Sequence, residues 1–326
     1  VVVWGVFRCA YVAFVVILLF DIAMNSVVCE NLSKTYKSEA RKALDSVTFS
    51  VPSSGIFALI GRNGAGKTTL VRILATELLP SSGYASINGL DVVKDAGKLR
   101  DCIAIVPQEA RPIPWMTPKQ TISSYLLWRG LRYTDAGETA DEYLAKVGID
   151  DKSDNLNRTL SGGIKRKLMA ATVLASGAPI IFLDEPTTGL DPLSRKEFWK
   201  LLKEMGRDHF IVLTTHYLEE AEELASMIGI LDQGRMLCVD TLDRLRLLIK
   251  HQYIVRVKNN SAAEKVIRSS PGELVEGDTD IQLFTSEDDA VEVSRRLIEI
   301  QTRFSINPVS LDDVFFYFVS KGDPKR

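Results

Sequence analysis

Three observations on the 326-residue chain predict an α/β fold: an open, largely parallel sheet carrying a helical insertion, followed by a small α+β appendage. The first is a glycine-rich loop, Gly61-Arg62-Asn63-Gly64-Ala65-Gly66-Lys67-Thr68-Thr69, which satisfies the pattern G-x-x-x-x-G-K-[ST]. The second is a set of short, almost wholly apolar runs at Ile56–Ile60, Ile103–Val106, Ile180–Leu183 and Phe210–Leu213, the signature of strands buried on both faces. The third is the loss of strand signals between Glu109 and Asn157, where helical periodicity takes over from the Thr117-Pro118 start; a threonine followed by proline is a good helix beginning.

The glycine-rich loop sits between a predicted strand and a predicted helix, Leu70 to Ala75, and that context gives the pattern its meaning. Glycines let the backbone curl so that successive N–H groups, backed by the positive end of the helix, point at phosphates. Lys67 adds a point charge, and the Thr68 hydroxyl suits Mg²⁺. The reading is a nucleotide site.

Composition leaves this reading room and excludes others. The chain is 46% hydrophobic and 25% charged with a net charge of -2, so it has no polyanion-binding bias, and nucleic acid is not expected. Cys9, Cys29, Cys102 and Cys238 are scattered without a C-x-x-C pair, which indicates neither a zinc site nor a disulfide framework.

Residues 1–23 are apolar except where Arg8 and Asp21 interrupt them, and the first methionine, Met24, immediately precedes a predicted first strand from Ser26 to Glu30. The expectation is a segment upstream of the true start. A weak membrane anchor and a signal peptide are the alternatives, although a span needs about 20 apolar residues and no convincing cleavage site is present. Val47 to Val51 then alternates apolar and polar residues as a half-buried strand. Tyr36, in the loop before it, is a candidate platform for a purine base. Between the two following turns, Ser81 to Asn88-Gly89 holds a short strand.

Further residues gather at strand ends. Gln108 follows the run Ile103–Val106, where its amide reaches a metal, an attacking water or solvent. Asp184 and Glu185 close the run from Ile180; on an extended segment they point to different sides, which suits one to Mg²⁺ and the other to water. His216 follows the strand from Phe210. Ser161, Gly162 and Gly163 open a helix and offer bare N–H groups to an anion, and Asp191 is a candidate cap or interface contact. Ligands of open parallel sheets bind at the carboxyl ends of the strands, so the phosphate loop, Gln108, Asp184, Glu185 and His216 are expected to form one site. In the insertion, Tyr125, Leu126, Trp128 and Leu131 are expected to build its core; any exposed remainder would mark a docking surface.

From Val27 to Arg235 these segments, in this order, resemble the ATP-binding subunit of an ABC transporter: phosphate loop, glutamine loop, signature segment Leu160-Ser161-Gly162-Gly163, carboxylate strand, Gly189-Leu190-Asp191 turn and histidine. The resemblance implies a P-loop NTPase of the ABC ATPase type over residues 24–240, with the helical insertion at about 109–158 and the appendage at 241–326. It implies a homodimer or heterodimer, head to tail, that sandwiches two ATP molecules between the phosphate loop of one subunit and the signature segment of the other. By the same resemblance Tyr36 stacks on adenine and Lys67 with the loop amides holds phosphates. Thr68 and Asp184 serve Mg²⁺, Gln108 senses Mg²⁺ and a permease, Glu185 polarises water, and His216 contacts the γ-phosphate.

Ile164 stands where many members have glutamine, and the following Lys165-Arg166-Lys167-Leu168 resembles ABC-2 type exporters, including those for drugs, lipids and antibiotics. The expectation is a cytoplasmic ATPase that is peripheral at the membrane through a separate transmembrane permease. An importer subunit and a soluble ABC ATPase acting on ribosomes or DNA are the alternatives; the second class usually carries paired cassettes or long coiled coils, which are not seen. The C-terminal part reads as a helix near Thr241 to Leu248, strands at Tyr253 to Val257 and Ile281 to Phe284, a helix from Ser286 to Ile300 and a last segment from Ser310.

Overall fold

The computed structural model describes residues 26–36, 42–249, 251–258, 261–276 and 280–321. The apolar segment 1–23, on which three readings were open, lies outside the described residues. The chain divides into two compact units, Val1–Val239 and Asp240–Arg326.

In the first unit, strands β1 (Ser26–Thr35), β2 (Lys42–Pro52), β4 (Ser82–Ile87) and β5 (Leu90–Asp91) form an antiparallel sheet in the order β2-β1-β4-β5. From Val47 to Val51 the side chains alternate strictly between buried and exposed, as the period of two demands when one face meets the core. A second sheet has the order β10-β9-β3-β8-β7-β6, with β3 (Ile56–Ile60), β6 (Ile103–Val106), β7 (Ile180–Asp184), β8 (Phe210–Thr215), β9 (Met227–Asp232) and β10 (Arg235–Asp240). The pairs β3–β8, β3–β9, β7–β8 and β6–β7 are parallel, and β3, β7 and β8 are buried at every residue. Helix α1 (Lys67–Leu74) is buried between the sheets through Leu70, Val71, Ile73 and Leu74. The other helix of this region, α2 (Ala96–Cys102), leads into β6.

The predicted insertion is helical: α3 (Pro118–Trp128) and α4 (Tyr133–Lys146). Thr117 accepts from Gln120 N at 3.2 Å while the Gln120 side chain accepts from Thr117 N at 3.0 Å, so the start of α3 is a reciprocal capping box. Ile122, Leu126, Ala136, Ala140 and Leu144 form its core together with Leu168, Ala171 and Ala175. Those last three belong to α5 (Gly162–Ala175), so the helical core continues past residue 158. Leu126 is fully buried and Leu131 packs against the same core, whereas Tyr125 is half-buried and Trp128 is 79% exposed. The expectation that Trp128 is core fails because α3 buries Ile122 and Leu126, four residues apart; a residue two beyond Leu126 falls on the opposite side of the helix.

Helix α6 (Pro192–Met205) buries Phe198, Trp199, Leu202 and Met205, and α7 (Leu218–Leu224) precedes β9. The second unit contains α8 (Leu242–Leu248), then β11 (Tyr253–Lys258), α9 (Ser261–Arg268), β12 (Glu273–Glu276), β13 (Asp280–Thr285), α10 (Glu287–Glu299), β14 (Phe304–Pro308) and finally α11 (Leu311–Lys321). Its antiparallel sheet has the order β12-β13-β11-β14, which makes β11 to β14 a split βαβ arrangement of the β-α-β-β-α-β type. The sequence patterns locate α8, β11, β13, α10 and α11; they miss α9, although Ser261–Arg268 is strongly amphipathic, and the edge strands β12 and β14.

The core of the parallel sheet sets a stability test. Phe182 in β7 is fully buried, and Phe182→Ala is expected to cost about 3–5 kcal/mol, read as a lower urea midpoint for the first unit.

Candidate functional site

Strand register brings the candidate residues together. Ile60 pairs with Thr215, Asp184 with Thr214 and Val106 with Leu183, so Gly61, His216, Glu185 and the Pro107-Gln108 step leave the sheet at one edge. The glycine-rich loop leaves β3 and enters α1 through Gly64 and Gly66, whose φ values are +78° and +106°, a region that L side chains rarely adopt. At Gly66 a Cβ would stand 2.5 Å from the Ala43 carbonyl oxygen and 2.9 Å from Leu44 Cδ2. The loop is therefore packed against β2 as closely as a backbone without a side chain permits.

Lys67 is 6% exposed. Its ammonium donates to the Gly61 and Arg62 carbonyls at 2.8 and 3.2 Å and lies 3.8 Å from Glu185 Oε1. Burial pulls its pKa below the usual lysine value, opposed by the attraction of Glu185 and then of Asp184. The ammonium is held by acceptors that a phosphate would supplement or replace.

Glu185 is the point of convergence. Its Oε2 accepts from Gln108 Nε2 at 3.0 Å and from the Thr188 hydroxyl at 3.1 Å, and His216 Nδ1 lies 3.3 Å from the same oxygen, without hydrogen-bond alignment. The sequence reading placed Glu185 on an extended segment. Instead β7 ends at Asp184 and Glu185 has φ +48°, a left-handed conformation that is uncommon outside glycine and recurs at functional sites. Its N–H is anchored by the Thr214 carbonyl at 3.1 Å and hydroxyl at 3.0 Å. The same Thr214 hydroxyl donates to Asp184 Oδ1 at 2.5 Å. Thr214 is thus a supporting residue that the sequence reading passed over; a threonine at the end of an otherwise apolar buried strand was the available signal.

A cavity of about 370 Å³ is lined by Tyr36, Asn63, Gly64, Gly66, Lys67, Thr68, Thr69, Gln108 and Glu185, with Gln233 and Lys42 at its margin. The Tyr36 hydroxyl is 3.3 Å from Thr69 Oγ1. Asp184 and His216 border Glu185 without lining this cavity. Ser161, Gly162, Gly163 and Asp191 are elsewhere: Ser161 caps α5 by accepting from Ile164 N at 3.3 Å, and Asp191 caps α6 by accepting from Leu193 N and Ser194 N at 3.1 and 3.0 Å. The start of α5 is nevertheless tied to the glutamine segment, because buried Arg166 donates through Nη2 to the Gln108 carbonyl at 3.0 Å.

A phosphate loop at the carboxyl edge of a parallel sheet, with a buried acid pair on a nearby strand, defines a phosphate-loop nucleotide-binding protein. The profile of the ABC transporter family matches residues 44–188. The Daunorubicin/doxorubicin resistance ATP-binding protein DrrA of Streptomyces peucetius is 31% identical over 304 residues, covering 89% of this chain and 91% of DrrA. The chain belongs to the ABC transporter family, as an ATP-binding and ATP-hydrolysing subunit. ABC transporter A family member 7 of Dictyostelium discoideum is 35% identical over 234 residues, which cover 71% of this chain but 28% of that protein. Member 3 of Arabidopsis thaliana is 32% identical over 74% of this chain and 26% of its own length, so the chain spans about a quarter of such relatives. Among solved structures, an ATP binding subunit of an ABC transporter superposes with TM-score 0.60 and 27% identity, covering 69% of this chain and 93% of that one. A dimeric ATP-binding cassette bound to ADP and Pi shares the fold at TM-score 0.60 and 24% identity, over 66% of this chain and 98% of that one.

Gly66→Ala tests the loop geometry. It is expected to weaken ATP binding by at least about tenfold, because strained positive φ and the approach to Ala43 together cost more than 1 kcal/mol; titration with a fluorescent ATP analogue measures it.

Proposed function

We propose that this chain powers an ABC-2 type export system, driving a separate transmembrane permease through ATP-dependent dimerisation. The observation that carries the reading is the convergence of Lys67, Gln108, Thr188 and His216 on the Glu185 carboxylate beside the phosphate-loop cavity. In this reading Tyr36 stacks on adenine, while Lys67, Asn63, Thr69 and the loop amides grip the phosphates. An arriving γ-phosphate draws the Lys67 ammonium from Glu185, which is then free to accept a proton from the attacking water. His216 steadies the γ-phosphate, and the reaction proceeds mainly by positioning and electrostatic stabilisation.

The residues fit Mg²⁺. The exposed Thr68 hydroxyl, the buried Asp184 carboxylate and the Gln108 amide offer hard oxygen donors. Among the described residues no cluster of three His, Cys, Asp or Glu could hold a metal by itself, as expected for an ion bound by one or two protein oxygens together with phosphates. When bound, Mg²⁺ neutralises charge on the β- and γ-phosphates.

Ser161 and Gly162 are exposed and do not line the cavity of their own chain. The bare N–H groups at the start of α5 therefore serve nucleotide bound to a second subunit, identical or related, with Asp191 near the junction. Ile113, Trp115, Trp128 and Tyr133 are 44%, 74%, 79% and 81% exposed; they lie in the stretch after Gln108 and provide apolar surface for the permease. Export follows the likeness to DrrA and the Lys165-Arg166-Lys167-Leu168 segment. The subunit then works at the cytoplasmic face of the membrane, peripheral to it through the permease. Among the described residues no helix is long and apolar enough to cross a membrane.

Glu185→Gln is expected to lower turnover by about 10²- to 10⁴-fold and to accumulate an ATP-bound dimer on size-exclusion chromatography; hydrolysis at the parent rate overturns the assignment. Affinity purification in mild detergent from the native host is expected to recover a multi-span permease, less of it with Trp115→Ser and Trp128→Ser combined. Recovery of ribosomes instead refutes the transporter reading.

A further inference from the structure

Glu220, on α7, is completely buried. The Trp199 indole N–H, from α6, donates to its Oε1 at 3.0 Å. Its Oε2 has no aligned hydrogen-bond partner, and neither does the buried Thr187 hydroxyl, although the Thr215 and Thr187 hydroxyls both lie against the carboxyl. Among the described residues the cation that acts on Glu220 is Arg195, through space and without a salt bridge; the Arg195 guanidinium lies 4.0 Å from the centre of the Tyr217 ring and 3.5 Å from the Leu190 carbonyl.

Leaving Oε2 and the Thr187 hydroxyl unpaired out of water would be costly. The Thr187 hydroxyl is itself a donor, and a bond from it to Oε2 satisfies both groups, while Oε1 accepts from Trp199. Burial pushes the Glu220 carboxyl above the usual carboxylate range, opposed by the Thr215, Thr187 and Trp199 donors and by Arg195.

The placement of the two threonines gives this acid a role. Thr187 is two residues beyond Glu185 and adjoins Thr188, which donates to Glu185 Oε2. Thr215 immediately precedes His216, and its hydroxyl accepts from Tyr217 N at 2.9 Å; the Tyr217 ring stacks on His216 at 4.1 Å. One buried side chain therefore touches the turn that carries Glu185 and the turn that carries His216.

We propose that Glu220 is a positioning residue that fastens the Glu185 turn to the His216 turn through Thr187 and Thr215. The proposal rests on the reading of Glu185 and His216 given above. Helix α6, which Asp191 caps, reaches the same acid through Trp199, so a shift of α6 is transmitted to both turns together.

The test measures steady-state ATP hydrolysis and nucleotide binding for the full chain and for Glu220→Gln, Glu220→Leu and Thr187→Val, with Glu185→Gln alongside. Glu220→Gln, whose amide both accepts and donates, is expected to keep kcat within about threefold of the parent, whereas Glu220→Leu lowers it about 10- to 100-fold with KM for ATP little changed. Thr187→Val is expected to lower kcat several-fold. Parent-like kcat in Glu220→Leu, or equal impairment in Glu220→Gln and Glu220→Leu, overturns the proposal. If Glu220→Leu does not fold, Thr187→Val decides, and parent-like kcat there refutes it. Parent-rate hydrolysis by Glu185→Gln defeats the catalytic reading alone, because the Gln–Leu comparison still reports on Glu220.

Discussion

Parallel hydrogen bonding among β3, β8 and β7 is the constraint on which the site depends. Because Ile60 faces Thr215 and Asp184 faces Thr214, the chain leaves three neighbouring strands at the same level. The phosphate loop, His216 and Glu185 are then neighbours without any long side chain having to reach. Parallel strands need crossovers, and the crossovers here hold the other working parts: α1 behind the phosphate loop, the helical insertion with α5 before β7, and α6 before β8. A slip of one residue between β7 and β8 would turn every side chain of one strand to the other face and separate Thr214 from both acids.

Burial is the second organising term. Helix α1 packs between two sheets through Leu70, Val71, Ile73 and Leu74, so the loop before it is fixed at both ends, and Gly66 permits the close approach to Ala43. Behind the site, polar groups are removed from water and satisfied locally: Thr214 serves Asp184 and the Glu185 N–H, Thr188 serves Glu185, and Arg166 reaches the Gln108 carbonyl. Such networks keep the acids in one arrangement, because leaving any member unpaired is costly in a low-dielectric interior. The helical insertion has its own apolar core, centred on Ile122, Leu126, Ala140 and Leu144. It is tied to the parallel sheet by Arg129, which donates to the Ile103 carbonyl at the start of β6 at 3.1 Å.

The second unit has its own core, in which Val255, Val257, Ile281 and Leu283 of the sheet meet Ile267, Val293 and Leu297 of the helices. Its β-α-β-β-α-β order explains why β11 and β13 were legible in the sequence and β12 and β14 were not. The first two are the central strands, buried and apolar, whereas β12 and β14 lie at the edges and retain polar residues that weaken the period.

Much of this was legible in the residues themselves. The phosphate loop, the apolar parallel strands, the capped starts at Thr117, Ser161 and Asp191, and the polar residues at strand ends all express interactions over a few positions along the chain, which appear as period and spacing. Tertiary structure alone decided the left-handed turn at Glu185, the bond from Gln108 across 77 residues, the exposure of Trp128 and the enclosure of Glu220 between Trp199 and two threonines. Each of these is set by strand register or by which face of a helix meets the core. Both are global choices, because they depend on what residues distant in sequence bury, and no local pattern records that.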